Sequence, residues 1–297
     1  MLSNKNTPNR ECFCYDATVP ELLRSLKKFY AKNKRDLPWR TTYDPYKILV
    51  SEVMLQQTQA KRVVPFYLKF IKRFPTARAL ARARLSDVLK LWSGLGYNRR
   101  AKFLHEAAKK LSSAKTLRSG EIYRTPARKV FAELSAEFLE SLPGVGPYTA
   151  RAVAAFAYNR PEIFIETNIR TVFLYSNILQ NTRLVSDKEI LPLVEKVLKK
   201  SKMQPRDFYA ALMDYGAFLK QSGVRINSKS KHYTKQKKFE GSTRQLRGAI
   251  LKKLLDSPQT AHALAKGLSR TRGEVLKVLD QLKKEQLVKA KRGKYSV

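Results

Sequence analysis

From Val19 to about Lys34 the apolar residues Leu22, Leu23, Leu26 and Phe29 return at the spacing of one helix face. The same rhythm predicts helices over about 45–60, 62–73, 76–81, 85–92, 99–111 and 129–140. It resumes from a turn at 142–147 to about Tyr158, from Thr167 to about Gln180, and over 187–200 and 205–219. Pro45 suits a first helical turn, where a missing N–H costs nothing. "RDLPWRTTYDPY" (35–46), with two prolines and three aromatics, reads as an extended loop. Residues 1–17 carry no such pattern and read as a flexible tail. Two-residue alternation is nearly absent, so this part of the chain is expected to be all-α.

The pattern changes after about residue 220. From Tyr215 through Phe239 no acidic residue occurs, while Lys220, Arg225, Lys229, Lys231, Lys235, Lys237 and Lys238 do. Residues 221–241 therefore read as a basic linker. Beyond it, "TRQLRGAILKKLLDS", "TAHALAKGLS" and "TRGEVLKVLDQLKKEQ" predict three helices, the last with Thr271 and Glu274 at capping-box spacing. "LVKAKRGKYSV" predicts two short strands around a Lys-Arg-Gly turn. Three helices and a hairpin make a winged helix-turn-helix over 242–297.

Charge narrows the function classes. The chain holds 60 Lys+Arg against 24 Asp+Glu, a net +36. A metabolic enzyme gains nothing from that self-repulsion, whereas a polyanion partner neutralises it. Nucleic acid is the expected partner, ahead of an anionic membrane; a lysine-rich proteome would give some of the same bias. No run of 18 apolar residues occurs and the N-terminus lacks a signal-peptide core, so no membrane association is expected. A monomer in the cytoplasm, associated with the nucleoid, is the expectation. Cys12 and Cys14 are the only cysteines. They are too close for a structural disulfide and too few for a four-ligand cage, and read as reduced thiols in the tail.

Three groups of residues could carry chemistry. Gly144 and Gly146 flank Val145 in "LPGVGPYTA", permitting a tight turn before a helix N-terminus. Such a terminus, with its N–H groups and positive dipole end, suits a phosphate; an ordinary helical corner would use the same glycines. Glu52 interrupts the apolar run "YKILVSEVMLQQTQ" and forms, with Gln56 and Gln59, a stripe at i, i+4 and i+7. The stripe is either solvated or faces a groove. In a groove beside Leu55 and Trp39, desolvation would raise the pKa of Glu52 and suit it to donating a proton. Glu166 precedes a helix start in "ETNIRTVFL". It is either a first-turn cap or a carboxylate held near a sugar. Two carboxyl groups, one acid and one anion, are what glycosidic cleavage requires.

"LPWR", "DPYKILVSEVMLQQTQ", "LWSGLGYNRRAKFLHEAAKKL", "LPGVGPYTA" and "ALMDYGAF", in this order and spacing, resemble the adenine DNA glycosylase (MutY) branch of the helix-hairpin-helix glycosylases over about residues 19–219. The resemblance implies two helical lobes (about 44–158, and 18–43 with 159–220, within a domain of 18–220) and monofunctional release of adenine opposite 8-oxoguanine or guanine. It implies Glu52 as the acid that protonates the purine and Glu166 as the carboxylate that stabilises the sugar cation. Tyr148 stands where bifunctional relatives carry a Schiff-base lysine, so strand cleavage through an imine is not expected. Trp39, Arg40, Leu55 and Gln56 are implied at the base pocket, Gln57 and Tyr97 in the base stack, and Asp214 as a structural acid nearby. Gly144, Val145, Gly146, Tyr148 and Thr149 are implied at the DNA backbone. The basic Arg270, Arg272, Lys291 and Arg292 of the C-terminal module join them as candidates. Other mispaired or damaged bases, and a non-catalytic lesion-binding protein, are the alternative readings.

Departures from the family are specific. The four cysteines expected after "MDYGA" are missing, so no iron–sulfur cluster is expected; a monovalent cation at the hairpin is the one ion the resemblance admits. A winged helix stands in place of the Nudix-like reader of 8-oxoguanine. Position 210 is Ala rather than Gln or Glu, and position 166 is Glu rather than Asp.

Overall fold

In a computed structural model the described residues are 19–113, 134–176, 184–234 and 238–297. The tail with both cysteines, the first turns of the helix expected from 129, and the end of the helix expected to Gln180 lie outside them. The helices are α1 (Val19–Asn33), α2 (Pro45–Leu55), α3 (Ala60–Arg73), α4 (Ala77–Arg82), α5 (Leu85–Trp92), α6 (Arg99–Ser113) and α7 (Ala136–Glu140). They continue as α8 (Pro147–Tyr158), α9 (Thr167–Tyr175), α10 (Asp187–Ser201), α11 (Pro205–Gln221) and α12 (Thr243–Asp256). Strand β1 (Gln259–Thr260), α13 (Ala261–Leu268), α14 (Arg272–Lys284), β2 (Lys289–Lys291) and β3 (Lys294–Ser296) complete the chain. Short 3-10 turns occupy Pro38–Arg40 and Ile226–Lys229.

The described residues form two compact units, and neither is a continuous stretch of sequence: one falls within 19–35 and 163–234, the other within 36–162 and 238–297. In the first, α11 packs on both α1 and α9. Its core is built from Leu22, Leu26, Ile169, Val172, Phe173, Val194, Phe208, Tyr209 and Leu212. Arg170 clamps the start of α10 with two hydrogen bonds to Asp187, 2.7 and 2.8 Å. Ser186 and Glu189 close a capping box there. The 3-10 turn at 226–229 packs on α9, and the Thr171 hydroxyl meets the Asn227 amide oxygen at 3.0 Å.

In the second unit, α2 lies at the centre, nearly all of it buried, against α3, α6 and α8. Asp44 caps it, accepting from the N–H groups of Tyr46 and Lys47. The C-terminal segment joins this unit: α12 packs on α5, and Leu251 and Leu254 share one apolar cluster with Val88, Leu89 and Trp92. The expected three helices and hairpin are present, with a third strand. β1 pairs antiparallel with β3 (Gln259 opposite Tyr295), giving the order β1-β3-β2. Two residues are too short to show alternation, which is why β1 is silent in the sequence. Arg292 and Gly293, both at positive φ, make the tight β2–β3 turn.

One expected helix ends early. The segment expected over 45–60 stops at Leu55, and Gln57 takes a left-handed conformation at φ 55°. The cause is Arg100 on α6. Its Nη1 donates to the carbonyls of Val53, Met54 and Gln56 (3.0, 2.8 and 2.6 Å). Its Nη2 donates to Thr58 Oγ1 and Gly96 O (3.2 and 3.1 Å). A guanidinium thus satisfies the last-turn carbonyls that a continuing helix would have bonded. Glu52, Gln56 and Gln59 therefore do not form one helical stripe: Glu52 is inside α2, Gln56 is its C-cap, and Gln59 caps α3.

Candidate active site

Glu52 sits in the last turns of α2 with only 4% of its surface exposed. A carboxyl so buried in a helix with Val50, Val53 and Met54 needs a partner. It accepts a hydrogen bond from Tyr148 Oη at 3.1 Å. One turn further along, Gln56 Nε2 donates to Thr149 Oγ1 at 3.3 Å. These two pairs tie the end of α2 to the first turn of α8. Trp39, on the 3-10 turn that packs on α2, is buried with its ring edge-on to Tyr67 at 5.4 Å. Leu55 is half-buried against the same core, and Arg40 is half-buried beside Trp39 in the chain. Glu52, Tyr148, Trp39, Leu55 and Gln56 thus belong to one compact unit.

The hairpin is built as its glycines require. Gly144 has φ 73°, and a Cβ on it would come within 2.6 Å of Phe103 Cβ, so conformation and space both demand glycine. Val145 is buried, its N–H bonded to Leu142 O at 3.1 Å. Gly146 begins α8 with no side-chain cap, and Pro147 opens the helix. Gln57 and Tyr97, separated by 40 residues, both have positive φ, 55° and 52°. The turn holding Tyr97 is fixed by Trp92 Nε1 and Arg100 Nη2, which both donate to Gly96 O at 3.1 Å. Arg100 also stacks on Trp92 and Tyr97, 5.5 and 5.3 Å from the ring centroids. Burial pulls its pKa down to about 10, still high enough to keep it cationic.

The other carboxylate lies in the other unit. Glu166 is the N-cap of α9: its Oε1 accepts from the N–H groups of Asn168 (2.7 Å) and Ile169 (3.0 Å). Asn168 Nδ2 donates to Oε2 at 3.2 Å. The chain reaches it through Phe164, which stacks on Tyr209 with centroids 3.8 Å apart. Lys220, half-buried at the end of α11, has its pKa lowered by burial, an effect the charge of Glu166 opposes. Asp214, 2% exposed, accepts from the Arg35 backbone N–H at 3.0 Å and from its guanidinium. It anchors the chain leaving α1.

Arg270, Arg272, Lys291 and Arg292 are exposed on the C-terminal segment, with Arg270 3.8 Å from Glu274. Four residues that shape these sites were not among the sequence candidates. Arg100 could have been noticed, because it occupies an apolar position of the α6 pattern with Leu104, Ala108 and Leu111. Asn168 stands in plain view in "ETN". Gly216, whose missing Cβ lets the Asn168 backbone approach, and Arg244, whose Nη1 donates to Tyr97 Oη at 2.7 Å, matter only through contacts distant in sequence.

Among the described residues, no group of three or more His, Cys, Asp or Glu could hold a metal ion, and no helix is long and apolar enough to cross a membrane. The stretch following α11, where the resemblance would put an iron–sulfur cluster, contains no cysteine and does not fit one.

A family model described as HhH-GPD superfamily base excision DNA repair protein matches residues 50–204. The chain belongs to this superfamily. It is 32% identical over 235 residues to an adenine DNA glycosylase of Buchnera aphidicola, covering 77% of this chain and 62% of the relative. It is 44% identical over 149 residues to an adenine DNA glycosylase of Mycobacterium tuberculosis, covering 50% of this chain and 45% of that protein. The chain thus spans less than two thirds of the length of each. Among solved structures, a thermostable thymine-DNA glycosylase aligns with TM-score 0.52 and 27% identity, over 67% of this chain and 86% of the other. The superfamily model runs from the middle of α2 to the end of α10, and so takes in Glu52, the hairpin and Glu166.

Proposed function

We propose that this protein is a monofunctional adenine DNA glycosylase of base excision repair, acting on double-stranded DNA as a monomer. The observation that carries the reading is the buried Glu52 bonded to Tyr148, directly behind the hairpin. The relatives' activity on adenine supplies the substrate, and the resemblance supplies its partner base, 8-oxoguanine or guanine. A buried acid bonded to a neutral phenol can give its proton to a purine nitrogen in the flipped nucleotide. The C1′–N9 bond then breaks with its electron pair leaving on adenine. Glu166 is the anion assigned to the resulting cationic sugar. Water adds its hydroxyl to C1′ and releases a proton, so one water is consumed and the acid is regenerated. Tyr148 offers a phenol where an imine would need an amine, so the product is an intact strand with an abasic site.

The reading is free of iron: a four-cysteine cluster needs four thiolates and this sequence holds only Cys12 and Cys14, so the purified protein should be colourless, without stoichiometric iron. The deciding experiment incubates the protein with duplexes holding adenine opposite 8-oxoguanine, guanine or cytosine, and thymine opposite guanine, before and after alkali. Alkali-dependent breaks at adenine opposite 8-oxoguanine and guanine are expected. Tight binding with no abasic product would leave a lesion-binding protein instead.

A further inference from the structure

Tyr97 leaves the turn between α5 and α6 with 37% of its surface exposed. A tyrosine so exposed ordinarily samples several rotamers. This one is held at its far end. Arg244 Nη1 donates to its Oη at 2.7 Å, and the same guanidinium lies 5.9 Å from its ring centroid. The donor stands 147 residues away, in the first turn of α12, and that turn is itself fixed. Ser242 caps α12 by accepting from the Gln245 N–H, and Gln245 Oε1 accepts from the Gly241 N–H at 2.8 Å. α12 packs on α5, the helix that precedes Tyr97. The residues just past α14 reach the helix that follows it. Gln286 Oε1 accepts from Lys102 Nζ at 3.1 Å, and Glu285 lies 3.9 Å from Arg99. The C-terminal segment thus holds Tyr97 by its hydroxyl and by the helices on both sides of its turn.

The backbone of this turn does not need that help. Trp92 and Arg100 already bond Gly96 O, and Tyr97 itself sits at φ 52°. With the backbone set, what stays free in a tyrosine is the direction of its ring, and a bond to the hydroxyl fixes that direction. We propose that Arg244 is a positioning residue: it presets the Tyr97 ring for entry into the duplex, so that the C-terminal segment completes the side chain that opens the stack beside the target nucleotide. The proposal rests on the glycosylase reading and on the place in the stack that the resemblance implies for Tyr97. A side chain that must be ordered when DNA binds loses affinity, and a bond made beforehand removes that loss. The rival role for Arg244 is an ordinary phosphate contact, which would owe nothing to the Tyr97 hydroxyl.

The test uses the whole protein and a duplex with tetrahydrofuran, a non-hydrolysable abasic analogue, at the target position. Its neighbour is 2-aminopurine, whose fluorescence rises when it is unstacked. Affinity and fluorescence are measured for wild type, Arg244→Ala, Tyr97→Phe and the double variant. Tyr97→Phe keeps the ring and removes only the acceptor. Each single change should weaken binding by about 2- to 10-fold and reduce the fluorescence rise at saturating protein. The double variant should be no worse than the weaker single variant, since both changes remove one interaction. The slope of log affinity against log salt should stay as in wild type. Additive losses, or a slope flattened by about 0.9 in Arg244→Ala, would make Arg244 a phosphate contact and overturn the proposal. So would wild-type affinity or a wild-type fluorescence rise in either single variant, or no rise with wild type itself. The bond lies at the surface, so unchanged melting checks that the fold is intact. Excision is not needed for these measurements. An absence of base release by wild type would count against the glycosylase reading and leave this cycle to be judged by itself.

Discussion

Replacing Gly216 by alanine tests whether α11 sets the position of Glu166. Gly216 has no Cβ, and one built there would lie 2.2 Å from the backbone oxygen of Asn168. It would also lie 2.6 Å from the carbonyl carbon and 2.8 Å from Cα of the same residue. None of these atoms is at the end of a flexible side chain. To restore van der Waals contact the first turn of α9 must retreat by roughly 1 Å. Asn168 supplies two of the three donors to the Glu166 carboxylate, so that group must move as well. Overpacking of this kind costs about 1–3 kcal/mol of stability. A displacement near 1 Å of a reacting group costs on the order of 100-fold in rate. Urea denaturation should therefore show a modest loss, while single-turnover adenine release at saturating protein should fall about 100-fold with duplex affinity retained. If Gly216→Ala kept both wild-type stability and wild-type release, the α9–α11 contact would not be what holds Glu166.

Further changes follow from the same structure. Glu52→Gln keeps size and hydrogen-bonding reach but removes the transferable proton, so base release should collapse by about 100-fold or more while binding persists; near-normal release would refute the acid assignment. Arg100→Gln leaves several buried carbonyls of α2 without a donor, and should cost about 3 kcal/mol in denaturant titrations and weaken duplex binding through the displaced Gln57 and Tyr97. Neutralising Lys289, Lys291, Arg292 and Lys294 together should flatten the plot of log affinity against log salt, by about 0.9 for each phosphate no longer neutralised, without changing single-turnover release. An unchanged slope would remove the wing from the DNA interface. Point changes suit this test better than deletion of 242–297, because Leu251 and Leu254 belong to the same apolar cluster as Leu89 and Trp92.

Helices were legible wherever one face of a segment is apolar, because that pattern is also what buries it. The order of elements from α1 to α14, the capping box at Thr271 and the β2–β3 turn all follow from local chemistry. The break after Leu55 did not. Residues 50–60 contain neither glycine nor proline, and the carbonyls that end α2 are taken by a guanidinium more than 40 residues away. Glu52 and Glu166 stood out because a carboxylate in a basic chain is rare enough to ask about. Their surroundings were hidden: Tyr148 lies 96 residues from Glu52, and Gly216 meets Asn168 across two packed helices. The same limit concealed the bond from Arg244 to Tyr97, whose two residues share no local signature.

The choice between cap and reagent for Glu166 dissolves once the hydrogen bonds are counted. An ionised carboxylate has about four lone-pair positions. Capping α9 engages Oε1 twice, and Asn168 Nδ2 engages Oε2 once at the longer distance of 3.2 Å. Capping therefore leaves Oε2 able to face a developing positive charge. It also bears on the extra methylene. The usual caps are Ser, Thr, Asp and Asn, whose short side chains reach the N2 and N3 amides directly. Glutamate reaches the same two amides here, so its longer chain is taken up in the path to the carboxylate rather than in the position of the carboxylate itself. The helix terminus, and not the length of the side chain, fixes where the negative charge sits. An aspartate capping the same two amides would put its charge in nearly the same place. What the longer side chain adds is rotational freedom, and the bond from Asn168 Nδ2 limits it. Asn168 in turn is held against Gly216 of α11, so the position of the anion is set by the packing of two helices.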